Sequence, residues 1–223
     1  MITRMLVLGV LWVMLSVPAA FAASIESSVP VGDASVHALD VIQQAIDIGD
    51  VALFEDHVDI DALVAAAVDY FLQDAQSPEG AARLSPVVAM IISSVGTSAD
   101  AQKTLRGLMG REARNFVVYG VQSGHFAGEK RENVRPPEGL LAPLFADASL
   151  GRKEIRDKGA PRPASGAGGA GQDIFIAFSV YDYGNGRSYP VTGRMRLVNA
   201  HWKLVGVENL PVLVEQLRRE AIE

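Results

Sequence analysis

The chain has 223 residues, no cysteine and a formal net charge of −6, a length that allows one domain with a sizeable core or at most two small ones. Without cysteine, disulfide bonds, zinc–cysteine centres, iron–sulfur ligation and an acylated cysteine anchor are all excluded, so the fold must rest on its hydrophobic core. The acidic balance repels a phosphate backbone, which argues against nucleic acid as a partner.

Residues 1–22 read as a cleavable secretory signal. Arg4 is the only charge there, an apolar run extends from Met5 to Val17, and Ala20-Phe21-Ala22 supplies a small-residue cleavage site. The run is about half of the ~20 residues that a membrane-crossing helix needs. Removing this segment takes away Arg4 alone, so the net charge moves from −6 to −7. The expected location is the periplasm or the outside of a bacterial cell. No later apolar run approaches spanning length, so no membrane span is expected in the mature chain.

Residues 23–36 are small, polar and punctuated by Pro and Gly, and predict a flexible tether. From His37 the pattern turns helical: Leu39, Ile42, Ala45 and Ile46 recur at steps of three and four on one face. Gly49-Asp50 predicts a stop and restart, because glycine tolerates the left-handed conformation after a helix and aspartate caps the next one. A short helix over 51–57 follows. A third, capped by Asp59 or Asp61, carries Leu63, Ala67, Tyr70 and Phe71 to about Asp74.

Ser77-Pro78 and Ser85-Pro86 each place a cap residue before a proline suited to the first helical position. The second pair opens residues 87–92, apolar on every side, which predicts burial in a core or against an apolar ligand or partner. Thr97, Ser98 and Asp100 offer caps for a longer helix carrying Leu105, Leu108, Met109, Ala113, Phe116, Val117 and Val121. Its opposite face holds Lys103, Arg106, Arg111 and Arg114, read as solvent-facing charge.

After Gly128 the periodicity is lost. Lys130, Arg131 and Arg135 interleave with Glu129, Glu132 and Glu138, the pattern of a solvated loop. Residues 159–171 are rich in Gly, Ala and Pro and read as a long mobile loop. No Gly-Lys-Ser/Thr follows, so a phosphate cradle has no support.

Strand signals then dominate. Ile174, Ile176, Phe178 and Val180 alternate on one face, and Gly184-Asn185-Gly186 is a hairpin turn signature. Tyr189, Val191, Met195 and Leu197 face one way in the next strand, with Thr192, Arg194 and Arg196 facing the other. Asn199-Ala200 turns the chain into a third strand over 201–207. A fourth is expected within 153–158, and Pro211 starts a C-terminal helix through Leu213, Val214 and Leu217. Helices first and an antiparallel sheet afterwards indicate an α+β class: N-terminal helices on a curved three- to four-stranded sheet with a short C-terminal helix. The expected division is a signal (1–22), a tether (23–36) and one domain (37–223). Within the domain, 37–127 is helical, 150–210 forms the sheet and 211–223 the last helix.

Two stretches resemble a known superfamily. Residues 45–63, AIDIGDVALFEDHVDIDAL, resemble the opening of nuclear transport factor 2-like domains, where a helix breaks at Gly-Asp and a Val-Asp pair leads into the next one. Residues 193–210, GRMRLVNAHWKLVGVENL, resemble the closing hairpin of the same superfamily, a cystatin-like α+β fold. The likeness is nearest to secreted bacterial domains of unassigned function. It implies a curved antiparallel sheet wrapped around helices as a cone with an apolar pocket. Members of that group include isomerases, dehydratases, ligand binders and inert scaffolds, so the fold does not convert into an activity. Residues 86–96 and the long helix after them add helical mass that would fill or cap such a pocket.

Chemistry is sparse. The histidines at 37, 57, 125 and 201 include no pair at metal-binding helical spacing. Glu55, Asp56, His57, Asp59 and Asp61 are the densest polar cluster. They lack the Gly and distant Glu of a calcium loop, and read as caps and surface charge. Enzymes of this fold class tend to use an Asp or His base with a Tyr or Asp donor. Asp69, Tyr70, Tyr119 and Tyr181 are available, but none sits in a catalytic motif. His201 is expected on the sheet face opposite Trp202, near Arg194 or Arg196. No Gly-x-Ser-x-Gly elbow is present.

The expectation is therefore a non-catalytic envelope protein acting as a binding or interaction module, without a cofactor. Arg194, Arg196 and Lys203 would rim a partner surface on the open sheet face, where a homodimer is also expected. The first alternative is a carrier of an apolar small molecule or lipid, with Phe71, Met90, Met109, Phe116, Tyr119 and Trp202 lining a pocket or forming core. The second is a pocket isomerase or lyase, which needs a buried carboxylate opposite a tyrosine or histidine.

Overall fold

Acidic and hydroxyl side chains set the helix starts, each taking up a backbone N–H that has no partner inside its helix. In the computed structural model, which describes residues 31–82, 84, 86–95, 98–139, 151–163 and 173–220, α1 spans Val31–Ile48. Asp50 accepts from Leu53 N at 3.0 Å and opens α2 (Val51–His57). Asp59 accepts from Ala62 N at 2.9 Å and opens α3 (Ile60–Ala75). Ser77 does the same for Gly80 N at 2.9 Å ahead of α4 (Pro78–Ala81). After α5 (Pro86–Val95), Ser98 caps the long α6 (Ala99–Gln122).

Helix α1 begins six residues ahead of His37, so residues 31–36 are helical rather than tether. The physical reason is burial: Ser35 is fully enclosed, and Ala34 and Val36 pack against the core. The signal segment and residues 23–30 lie outside the described residues. Helix α5 also departs from expectation. Val88 is buried, but Met90 is 66% exposed, because α5 leans chiefly on α6 and turns its other side to solvent.

The sheet consists of β1 (Lys153–Arg156), β2 (Arg162–Pro163), β3 (Ile174–Asp182), β4 (Arg187–Val198) and β5 (His201–Val207). Its order is β1-β3-β4-β5, all pairs antiparallel, with β2 lying beside β1 along the same edge of β3. Strand β2 falls inside the stretch read as a mobile loop. Arg162 faces Phe175 and Pro163 faces Ile174, an edge position where proline's missing N–H is harmless. Residues 164–172 lie outside the described residues. Arg194 pairs with Gly206 and Met195 with Leu204, so Val205 is an extra residue that bulges β5. The outer edge of β5 is covered by the α2–α3 link: Val58 bridges Leu204, and Asp59 N donates to Leu204 O at 2.9 Å.

Helices pack on one face of this sheet, which makes the fold α+β. Ile176, Phe178, Val180, Tyr189, Val191, Met195 and Leu204 join Leu39, Ile42, Phe54 and Val117 in one buried cluster. Leu213 and Leu217 add the last helix, α7 (Leu210–Glu220), to it. Among the described residues no helix is long and apolar enough to cross a membrane.

The turn after α6 ties the helices together. Gly124 and Gly128 take positive φ angles of 75° and 77° on either side of a 3-10 turn (His125–Ala127). Phe126 drops its ring into the space where a Cβ on Gly120 would stand. Arg131, expected in a solvated loop, instead folds back over Gly49, and its Nη2 donates to Asp47 O at 2.7 Å. A cation on the last carbonyls of α1 offsets the negative end of that helix.

Gly120→Ala should cost about 2–3 kcal/mol, the scale of overpacking a filled core, in urea unfolding. Gly107→Ala, where a Cβ meets open space on the same helix, should add roughly 0.5–1 kcal/mol through helix propensity alone.

Candidate functional site

Strand alternation decides what the uncovered sheet face presents. Ile174, Ile176, Phe178 and Val180 point inward, so Phe175, Ala177 and Tyr181 point out. On β4 and β5 the same rule turns Thr192, Arg194, Arg196 and Lys203 outward. Arg196 grips Asp173 with both arms, Nε to Oδ1 at 2.7 Å and Nη2 to Oδ2 at 2.8 Å. Those hydrogen bonds hold the Asp173 carboxyl below the usual carboxylate range. Arg194 stands 3.4 Å from Glu208. Lys203 lies directly across from Arg196 and makes no ion pair among the described residues. Arg194, Arg196 and Lys203 therefore share one face, two of them already held by carboxylates.

Toward β1 the same face carries an aromatic cluster. The Arg156 guanidinium lies 4.1 Å from the Tyr181 ring centroid, and Tyr181 meets Tyr183 edge-on at 4.8 Å. Arg152 and Arg156 each lie 5.5 Å from the Tyr183 ring. Glu154 accepts from both Arg156 and the Tyr183 hydroxyl, which orders the group.

The apolar set divides. Met109, Phe116 and Trp202 are buried in the main cluster, and Phe71 packs against it. Tyr119 is half-buried beside His125, with ring centroids 5.3 Å apart, and Met90 faces solvent. Asp69 pairs with Arg106 at 2.8 Å on the surface, and Tyr70 packs on the core.

One acid–base grouping has no local motif in the sequence. Lys153 Nζ lies 2.7 Å from Asp182 Oδ1, both side chains at 0% exposure. Asp182 Oδ1 also accepts from Gly184 N at 2.7 Å, which shapes the β3–β4 turn. Close by, the enclosed Tyr189 hydroxyl donates to Glu220 and accepts from Asn185 Nδ2 at 2.8 Å, and Arg187 stands 3.3 Å from Glu220. Burial pushes the Lys153 ammonium down, and the Asp182 charge beside it opposes that shift. Burial, with Glu220 as acceptor, raises Tyr189 so that it stays a phenol. The signal was present: Lys153 and Asp182 occupy inward slots of their strands, in line with Ile155 and Val180. This is a buried carboxylate near a tyrosine, yet the group is closed to solvent and joins β1, the hairpin and α7.

The acidic cluster at the end of α2 and the start of α3 opens outward. Glu55 and Asp61 both pair with Arg114, Asp61 at 3.0 Å, while Asp59 serves as a cap. His57 points inward and donates from Nδ1 to Trp202 O at 3.1 Å. His201, expected near Arg194 or Arg196, pairs with Val198 and sets its ring edge-on against His57 at 5.3 Å. Among the described residues no three His, Asp or Glu side chains are already gathered to hold a metal ion.

A half-buried carboxyl lies at the end of α1. Asp47 accepts from Gln43 Nε2 at 2.9 Å through Oδ1, whereas Oδ2 and Gln43 Oε1 are enclosed without a hydrogen-bond partner. Burial raises Asp47 to about 6, with Arg152 opposing and Glu129 and Glu154 adding to the shift. No family model, curated protein or solved structure matches the chain.

Lys153→Met should destabilise the fold by about 3–5 kcal/mol, because it strands a buried carboxylate; Lys153→Met with Asp182→Leu should recover most of the loss in denaturant titrations. Because the folded Asp47 carboxyl binds its proton more tightly than the ordinary 3.8, its contribution is full below about pH 4 and is lost as pH rises through 6. Asp47→Asn should therefore be more stable than wild type at pH 7 by roughly 1–2 kcal/mol and converge with it near pH 4, as read by thermal melts across that range.

Proposed function

We propose that the chain is a non-catalytic binding module of the bacterial envelope that engages an acidic protein partner through the outer face of its sheet. The reading extends to a nuclear transport factor 2-like plan, which residues 45–63 and 193–210 resemble. The observation that carries the function is the placing of Arg156, Arg194, Arg196 and Lys203 on the face turned away from the core, among Phe175 and Tyr181. Arginine and tyrosine are the residue types on which interface energy concentrates. Asp173, Glu208 and Glu154 hold the three arginines in place, so a partner has less side-chain freedom to remove on docking. Lys203 adds a cation that makes no ion pair among the described residues, and the chain as a whole is acidic, which directs an acidic partner to this face. The sealing of Lys153, Asp182 and Tyr189 supports the non-catalytic part, since no substrate reaches them.

The test is photo-crosslinking in cells, with the crosslinker placed at Lys203 or Tyr181 and, as a control, at Gln44 on the exposed side of α1. A discrete adduct from the sheet positions alone, lost in Arg196→Glu/Lys203→Glu, is the expected result; a second copy of this chain would give a symmetrical adduct of twice the mass. Adducts from Gln44 alone would overturn the proposed face. Excess mass matching a lipid in native mass spectrometry would replace the reading with that of a carrier.

A further inference from the structure

Arg152 and Tyr183 are cross-strand neighbours at the β1 end of the outer sheet face, where Tyr183 N donates to Arg152 O at 2.9 Å. The Tyr183 ring is fixed from both sides of its hydroxyl, which donates to Glu154 and accepts from Arg156 Nη2 at 2.9 Å. Its edge-on contact with Tyr181, at 4.8 Å, holds the plane of the ring. Tyr183 is nevertheless 49% exposed, so an aromatic surface stands ordered in solvent. The Arg152 guanidinium lies 5.5 Å from the centre of that ring and makes no ion pair among the described residues. Its Nε is enclosed without a hydrogen-bond partner, so the guanidinium keeps donors to spare. Glu154, the nearest carboxylate along the strand, is taken by Arg156 and Tyr183. Gly151 and Gly184 flank the pair and add no side chain beside it; a Cβ on Gly151 would stand 3.5 Å from Gly184 Cα.

We propose that Arg152 and Tyr183 are the anchor point of the docking face, and that they select a protein segment carrying a carboxylate next to an aromatic side chain. The carboxylate pairs with the Arg152 guanidinium, whose fork suits two parallel hydrogen bonds. The neighbouring ring packs on the exposed part of Tyr183. This rests on the reading of the outer sheet face as the surface that takes an acidic partner, and it names the two-residue feature recognised there. Binding energy concentrates at arginine and tyrosine positions that are ordered before the partner arrives, because little side-chain freedom is then lost. Arg194 and Arg196 already face Glu208 and Asp173, so they offer a partner less unspent charge than Arg152 does.

The test is a proton–nitrogen NMR titration of the purified protein with the capped peptide acetyl-Asp-Phe-Asp-amide, and with acetyl-Asn-Phe-Asn-amide as its uncharged control. The acidic peptide should shift the amides of residues 152–156 and 181–184, and the control should bind about tenfold more weakly, the scale of one lost charge-assisted hydrogen bond. Arg152→Gln should weaken the acidic peptide by a similar factor while leaving the rest of the spectrum in place. Tyr183→Ala should weaken it too, whereas Tyr183→Phe, which keeps the ring, should bind close to wild type. The anchor is overturned if the acidic peptide moves none of those amides, or if Arg152→Gln binds it with unchanged affinity. The same variant separates the two readings in cells: an undiminished adduct from a crosslinker at Lys203 in Arg152→Gln/Tyr183→Ala overturns the anchor and leaves the docking face standing.

Discussion

The register of β3 on β4 is the constraint on which the rest of the structure depends. One face of that hairpin is buried, so a slip of one residue would turn Ile176, Phe178 and Val180 to water and bring Ala177, Ser179 and Tyr181 into the core. The Lys153–Asp182 pair adds a second penalty at the hairpin end, because either partner without the other is a buried, unpaired charge. With no cysteine in the chain, this pairing and the packing behind it carry the specificity that disulfides would otherwise supply.

From that register follows the asymmetry of the molecule. Helices α1, α2, α3 and α7 cover the inner face, with α6 packed against α1, α2 and α3, and the chain uses its ionisable groups to join elements. Arg131 closes the end of α1, Arg114 ties α2 and α3 to α6, and Lys158 reaches Asp40. Glu220 draws the last helix onto Tyr189. The outer face keeps its arginines in paired, ordered positions, and that difference between the two faces underlies the proposed binding surface.

Local chemistry was legible wherever the signal was local. Asp50, Asp59, Ser77 and Ser98 act as the caps that their positions imply, and the Gly184-Asn185-Gly186 and Asn199-Ala200 turns stand where expected. At the second of these turns both residues take positive φ, 50° and 66°, the demand of a tight hairpin. Met90 shows where local patterning stops being informative. A run of apolar residues reports hydrophobicity on every side, but the number of neighbours around a helix is set by elements far away in the chain. Arg131 shows the converse, a charged loop residue made structural because α1 happens to end beneath it.

The amino-acid sequence by itself determined the α+β class, the order of elements and the face of each strand that turns inward. Periodicity and capping act over a few residues and need no knowledge of the fold. Only the tertiary structure decided which distant groups meet: Lys153 with Asp182, Tyr189 with Glu220, and His57 with both Trp202 and His201. Those meetings depend on strand order and helix placement, and no spacing along the chain encodes them, because burial and pairing are properties of the packed whole.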